Sequence, residues 1–219
     1  MDLLAFARSM ARPALVGRET PHRPRSRTLS RIGGGFLGSP GELAPRLNGA
    51  LLFPLLSVHV PELAFVPTFL AGFEYWTFFI KADAWEQTVE DGSLVVRRYP
   101  RAKGLEPLGE LSDEDTWPVW DLTFTEVRDH PSRLTLDSVI AERGERATEE
   151  EIRSVLREYR CHGGVKLGGY PLLVQETAFL KTLDPDFQLQ FDSCPAYEYA
   201  DSGIGYVYSD LRAMNWESL

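Results

Sequence analysis

The chain has 219 residues, of which 43% are hydrophobic and 25% charged, and its formal net charge is −9. This composition is ordinary for a globular domain, and the acidic balance argues against general nucleic-acid binding, which needs clustered basic residues. Because the chain has two cysteines, Cys161 and Cys194, we expect free thiols in a reducing, cytoplasmic setting rather than a disulfide framework.

Residues 1–31 contain seven arginines and two acidic residues. They lack the basic start and apolar core of a signal peptide, so we predict a short helix at 2–10 followed by a basic, extended arm. The arm includes a short strand at 14–16, and the polar, proline-containing stretch 17–27 is predicted to be a loop. An organellar transit peptide is the alternative for this arginine-rich segment.

Residues 47–73 carry a single formal charge, Glu62, over a length that could cross a bilayer. Prolines divide the stretch into short pieces, and His59 and Glu62 would be costly at the bilayer centre. We therefore predict buried strands joined by a turn of helix around Pro61, and no membrane partner.

The next region contains several predicted strands. Residues 73–80 include five aromatic residues and are the strongest of them. Asp91-Gly92 predicts a turn before a further strand at 94–96. An acidic loop is predicted at 100–118 and another strand at 120–127.

Two helices are predicted after these strands, at 134–142 and 148–160. Thr148 and Glu151 have the spacing of a capping box, in which each side chain binds a free backbone amide of the first turn. The second helix continues with an apolar stripe at helical spacing, so one of its faces is expected to be buried.

One motif occurs twice, as Ser30-Arg31-Ile32-Gly33-Gly34 and as Val165-Lys166-Leu167-Gly168-Gly169. Each copy is followed by a short strand with alternating apolar residues, at 54–59 and 187–192, and then by a glycine that enters an aromatic-rich strand. The same order of features, twice, favours a duplicated β-rich unit. We expect both glycine pairs to permit a close backbone approach or a positive φ.

The pattern predicts an α+β fold that is mainly β, with duplicated β-rich half-units, a mixed or antiparallel sheet and a few peripheral helices. The halves are 32–100 and 165–219. An insert at 101–164, which contains the helix at 148–160, connects them. The length suits a single core, so we expect one domain that includes the N-terminal helix and arm at 1–31.

The repeated motifs resemble those of the YwqG-like family, bacterial proteins of unknown function, over residues 12–211. The matching positions are 30–34, 166–171, Gln190-Phe191-Asp192 and Asp201-Ser202-Gly203, whereas Tyr199-Ala200 and Ser57-Val58-His59 depart from the family pattern. The resemblance implies a duplicated fold and no established activity. The association of family members with bacterial conflict loci further implies an immunity-type role.

The sequence context does not support the cofactor and catalytic motifs that we considered. Gly33-x-Gly35-x-x-Gly38 matches the dinucleotide fingerprint formally, but no amphipathic helix follows, so we predict no nucleotide cofactor. The histidines show no zinc-ligand spacing, so we predict no metal. We interpret Cys161 and His162 as a helix C-terminus, with His162 near the negative end of the dipole, rather than a nucleophile with its base.

Two functions remain. The one we favour is a cytoplasmic binding or protein-interaction protein without catalysis, because catalytic signatures are lacking and an acidic surface suits a basic partner. The other is an enzyme with a site between the halves, built from His59, Gln190, Asp192 and Asp201. His59 and Asp192 occupy matching positions of the repeat, and a simple turn is the alternative role for Asp201.

Overall fold

The computed structural model describes residues 2–23, 25–81, 94–109, 111, 118–173, 187–193 and 203–208, together with the backbone of 214–217. Within these ranges the helices are α1 (Leu3–Ser9), α2 (Arg133–Glu142) and α3 (Glu149–Glu158), with 3₁₀ turns at Val60–Glu62 and Thr68–Leu70. The strands are β1 (Arg12–Pro21), β2 (Arg31–Ile32), β3 (Leu37–Gly38), β4 (Arg46–Leu47), β5 (Ala50–Leu51), β6 (Phe53–His59), β7 (Tyr75–Ile80), β8 (Leu94–Tyr99), β9 (Glu106–Pro107), β10 (Trp120–Asp129), β11 (Lys166–Gly168), β12 (Phe187–Asp192), β13 (Ile204–Tyr208) and β14 (Met214–Glu217).

Ten strands form one sheet in the order β14-β13-β12-β11-β1-β10-β2-β6-β7-β8, and each of its ladders is antiparallel. Two small sheets pair β3 with β9 and β4 with β5. The predicted mainly-β, α+β fold is confirmed, and of the two predicted sheet types the antiparallel one is present.

The centre of the sheet is the pair of β1 and β10, which align over the whole of Arg12–Pro21 and Trp120–Asp129. The strand predicted at 14–16 is therefore longer than expected. The loop prediction for 17–27 is wrong for residues 17–21, which belong to β1. Pairing with β10 overrides the weak strand preference of this polar segment, since strand propensity depends strongly on tertiary context. The predicted insert contains β10, so it supplies a central strand as well as a connection.

Outward from this central pair, the two sides of the sheet follow the same order. β10 is followed by β2, β6, β7 and β8, and β1 is followed by β11, β12, β13 and β14. Gly33-Gly34 come directly after β2, and Gly168-Gly169 lie at the end of β11. The glycine pairs thus occupy corresponding places in the strand order. All four glycines have a positive φ (64°, 73°, 74° and 77°), a conformation that glycine adopts without steric penalty.

The apolar stretch at 47–73 forms short strands and the two 3₁₀ turns, the first of which contains Pro61 as predicted. The aromatic-rich strand predicted at 73–80 is β7, and every side chain of β7 is buried. Among the described residues, no helix has the length and apolar character needed to cross a membrane. The predicted turn at Asp91-Gly92 lies outside the described residues.

Helix α3 begins with the predicted capping box: the Thr148 side chain accepts a hydrogen bond from the amide of Glu151, and the Glu151 carboxylate accepts one from the amide of Thr148. Helices α1, α2 and α3 share an apolar cluster that includes Leu3, Leu136 and Ile152. A larger core runs through the central strands and both sides of the sheet.

Candidate functional site

A buried ion pair lies beside the central strands. Nζ of Lys166, the first residue of β11, is 3.0 Å from Oδ2 of Asp129, the last residue of β10, and neither side chain is exposed. Nζ also donates to the backbone carbonyl of His162 at 2.6 Å. Two charges taken out of water need this degree of pairing and hydrogen bonding, because their desolvation is otherwise costly.

Asp129 also binds the loops on either side of β11. Its Oδ1 accepts hydrogen bonds from the backbone amide of His162 at 2.8 Å and from Nδ1 of the same residue at 3.0 Å. Its Oδ2 accepts a hydrogen bond from the amide of Tyr170 at 2.8 Å. Because a carboxylate can only accept, Nδ1 of His162 carries the ring hydrogen, and Nε2 is the ring nitrogen left outside this network.

Cys161 borders the same pair, with Sγ 3.6 Å from Nζ of Lys166. Burial raises the pKa of the Cys161 thiol to about 12, despite the opposing effect of Lys166. A thiol that remains protonated at neutral pH is a poor nucleophile.

The side chains of Cys161 and His162 bind different partners: Sγ of Cys161 contacts Nζ of Lys166, and Nδ1 of His162 binds Asp129. The dipole role predicted for His162 is wrong, however. Helix α3 ends at Glu158, and His162 binds Asp129 beyond the end of the helix.

Gln190 and Asp192, two of the predicted site residues, lie next to each other on β12. Gln190 Nε2 donates to Asp192 Oδ1 at 2.9 Å, and Gln190 Oε1 accepts from the amide of Leu172 at 2.7 Å. Asp192 Oδ2 accepts from the amide of Gly164 at 2.6 Å. Burial raises the pKa of Asp192 above its ordinary value. Through these hydrogen bonds, both side chains connect β12 to the loops on either side of β11.

The other two predicted residues are not part of this cluster. His59 lies at the end of β6, and four strands lie between β6 and β12 in the sheet. Nδ1 of His59 is 3.1 Å from Oε1 of Glu62. The grouping of His59 with Gln190 and Asp192 is therefore wrong. Asp201 lies outside the described residues.

The surroundings of His59 nevertheless resemble the cluster on the other side of the sheet. Glu62 accepts hydrogen bonds from the amides of Leu29 and Ser30, just before β2, as Asp192 does from the amide of Gly164, just before β11. Arg31 of β2 lies 3.4 Å from Asp121 of β10, as Lys166 of β11 pairs with Asp129. Each side of the sheet thus pairs its basic residue with an aspartate of β10.

A cleft of about 450 Å³ opens where β10, the segment after α3 and the end of α1 meet. His162 lines it, with 29% of its side chain exposed, and so connects the buried network to solvent. His130 stacks on Tyr159 at the wall, with ring centroids 4.6 Å apart. The other lining residues are Arg8, Ala11, Arg128, Glu158 and Arg160.

The sequence interpretation missed this cleft. Its arginines come from three separate segments and share no local spacing, and the one indication in the sequence was the neighbouring pair Cys161 and His162. Within the described ranges, no group of three or more His, Cys, Asp or Glu side chains is arranged to hold a metal ion. The chemistry that the lining offers is hydrogen-bond donation and positive charge.

No model of a known protein family matches the chain, and a comparison with curated proteins gives no significant match. The resemblance to the YwqG-like family therefore stays a prediction that rests on the repeated motifs.

Proposed function

We propose that the chain is a cytoplasmic binding protein of the YwqG-like type that acts through protein interaction rather than catalysis. One observation carries the proposal: Gln190, Asp192 and Asp129 all accept hydrogen bonds from backbone amides of neighbouring loops. Polar groups used in this way hold loops to strands, and their satisfied networks make a core rigid and unique. Such a network suits a stable binding scaffold.

We further propose that the scaffold arose by duplication of a β-rich unit. The matching strand order on the two sides of the sheet supports this, as do the four positive-φ glycines. The contacts of Glu62 and Asp192 with the amides before β2 and β11 add a third correspondence. A duplicated scaffold requires no shared active site, which agrees with a role in binding.

The partner we propose is a basic protein, because the chain has a net charge of −9 and complementary charge favours encounter and orientation. By resemblance to the family, the role would be of the immunity type, in which the chain sequesters its partner. Exposed carboxylates on the helices, including Glu142 and Glu150, are available for such a contact.

The test is affinity capture with the full chain, followed by calorimetry with the purified partner at about 50 and about 300 mM NaCl. We expect a basic partner whose affinity falls as salt rises and falls further for the double variant Glu142→Gln and Glu150→Gln. Lys103→Gln, at another exposed position, is the matched control and should not weaken binding. A partner that the chain chemically alters would contradict the proposal.

One observation favours the alternative, an enzyme. Asp129 orients His162 through Nδ1 and leaves Nε2 for the cleft, which is the arrangement of a general base held by a carboxylate. His162→Gln separates the two functions, since Gln cannot exchange a proton at neutral pH. An enzyme would lose turnover while the fold is retained, whereas a binding protein would keep the affinity for its protein partner.

A further inference from the structure

We propose that the cleft beside His162 is a binding site for a small molecule that carries a phosphate group. The lining contains three guanidinium groups, from Arg8, Arg128 and Arg160, and one carboxylate, from Glu158. On a chain with a net charge of −9, this is a local excess of positive charge. A positive cleft in an acidic protein concentrates small anions at that one place.

The positive charge is largely unneutralised. Nη2 of Arg8 is 3.6 Å from Oε1 of Glu158, so Arg8 forms an ion pair with the one carboxylate of the lining. Arg8 also donates through Nε to the Tyr159 hydroxyl at 2.9 Å. Arg128 and Arg160 are exposed and form no ion pair with any residue that the structure describes. They are therefore the two cations available to a ligand.

The backbone holds these donors on one wall. The amide of His130 donates to the carbonyl of Arg160 at 3.1 Å, which joins the end of β10 to the segment after α3. Arg128 and His130 are two residues apart in extended chain, so they project to the same side.

The number of N–H donors in the cleft favours a phosphate over a carboxylate as the bound anion. A single guanidinium fork is enough to satisfy a carboxylate, whereas a phosphate has three terminal oxygens to bind. Two guanidinium groups, each with several N–H donors, match the larger group. The volume of about 450 Å³ leaves room for an organic portion of the ligand as well, since small-molecule sites commonly have this size.

The test uses the full chain and three probes: phenyl phosphate, acetate, and vesicles of neutral lipid with added phosphatidic acid. Calorimetry and thermal shift are measured at constant ionic strength, so that general screening does not contribute. We expect binding of phenyl phosphate and none of acetate. The double variant Arg128→Gln and Arg160→Gln should bind phenyl phosphate about tenfold more weakly or worse.

Two further variants control this result. Arg101→Gln with Arg146→Gln removes two exposed arginines outside the cleft and should leave the affinity unchanged. Glu158→Gln removes the carboxylate of the lining and releases Arg8, so it should tighten binding severalfold. No binding of phenyl phosphate, equal binding of acetate, binding to vesicles alone, or full affinity in the Arg128 and Arg160 double variant would each overturn the proposal. This inference is independent of the protein partner proposed above.

Discussion

Gly169 packs directly against the buried carboxylate of Asp129. A Cβ atom on Gly169 would collide with Oδ2 of Asp129 and would also press on Cβ of Ala14. This close approach brings the amide of the next residue, Tyr170, within 2.8 Å of the same oxygen. The second glycine of the motif therefore allows the chain to reach the carboxylate that holds the central loops together.

Replacing Gly169 by alanine should destabilise the fold by ~3 kcal/mol or more, because a steric collision is added to the strain of a positive φ. Gly144→Ala is the matched control. Gly144 has a φ of 67°, and an added Cβ there would meet nothing within 4 Å, so only the backbone strain of ~1–2 kcal/mol applies. Urea unfolding followed by tryptophan fluorescence measures both variants. Equal losses would show that the approach to Asp129 does not matter for stability.

Lys166→Met should destabilise the protein by ~3–5 kcal/mol, because it leaves the Asp129 carboxylate buried without its cation. Lys103→Met, at an exposed position, should stay within ~0.5 kcal/mol of the original chain. Denaturant unfolding of the two variants gives the comparison. A Lys166→Met variant as stable as the Lys103 control would mean that Asp129 does not depend on the ion pair.

Cys161 should be almost inert to iodoacetamide in the folded protein. In a Cys194→Ser background at pH 8, we expect alkylation of the folded chain to be at least about a hundredfold slower than that of the urea-unfolded chain, because only the thiolate reacts. Cys161→Ser in the same background is the control and should show no alkylation. Rapid reaction of the folded chain would contradict the pKa of about 12.

The same thiol gives stability a defined dependence on pH. The pKa of Cys161 is about 12 in the fold, against an ordinary value of 9.0. Between these values the folded chain binds more protons than the unfolded chain, so its contribution to stability is present below pH 9 and decreases as pH rises toward 12. Unfolding at pH 8 and pH 10.5 should show a larger loss for the Cys194→Ser chain than for the same chain with Cys161→Ser. An equal loss of stability in the two variants would show that the Cys161 thiol does not contribute to this pH dependence.

Thr148→Ala should destabilise the protein by ~1 kcal/mol, because it removes the side-chain acceptor for the amide of Glu151. Ser154→Ala, at an exposed position inside α3, is the matched control, and the higher helix propensity of alanine should make its effect neutral or slightly stabilising. Thermal unfolding compares the two. Equal effects would indicate that the capping box does not stabilise this helix.

Elements with a local cause were predictable from the sequence. The capping box at Thr148 set the start of α3, the aromatic run at 73–80 became β7, and the glycine motif indicated where positive φ values occur. In each case the residues that determine the structure lie within a few positions of one another. These predictions succeeded because each depends on the chemistry of neighbouring residues alone.

Elements that depend on distant residues were not predictable in this way. The full length of β1 follows from its pairing with β10, and the cleft combines side chains from α1, β10 and the segment after α3. His59 and Asp192 occupy matching positions of the proposed repeat, but these positions lie on opposite sides of the central strands. Two residues at matching positions are therefore far apart in the sheet, and the sequence match did not indicate a shared site.

The central place of β1 has a consequence for the order of assembly during synthesis. Its neighbours in the sheet are β10 and β11, and β10 leaves the ribosome roughly a hundred residues after β1. Because the ladder of β6, β7 and β8 joins segments close in sequence, we expect it to close first, while the apolar residues of β1 remain without partners. The sheet can therefore be completed only when its central strand β10 has been synthesised. We expect a nascent chain that stalls before residue 120 to expose β1 as an unpaired strand, which favours aggregation.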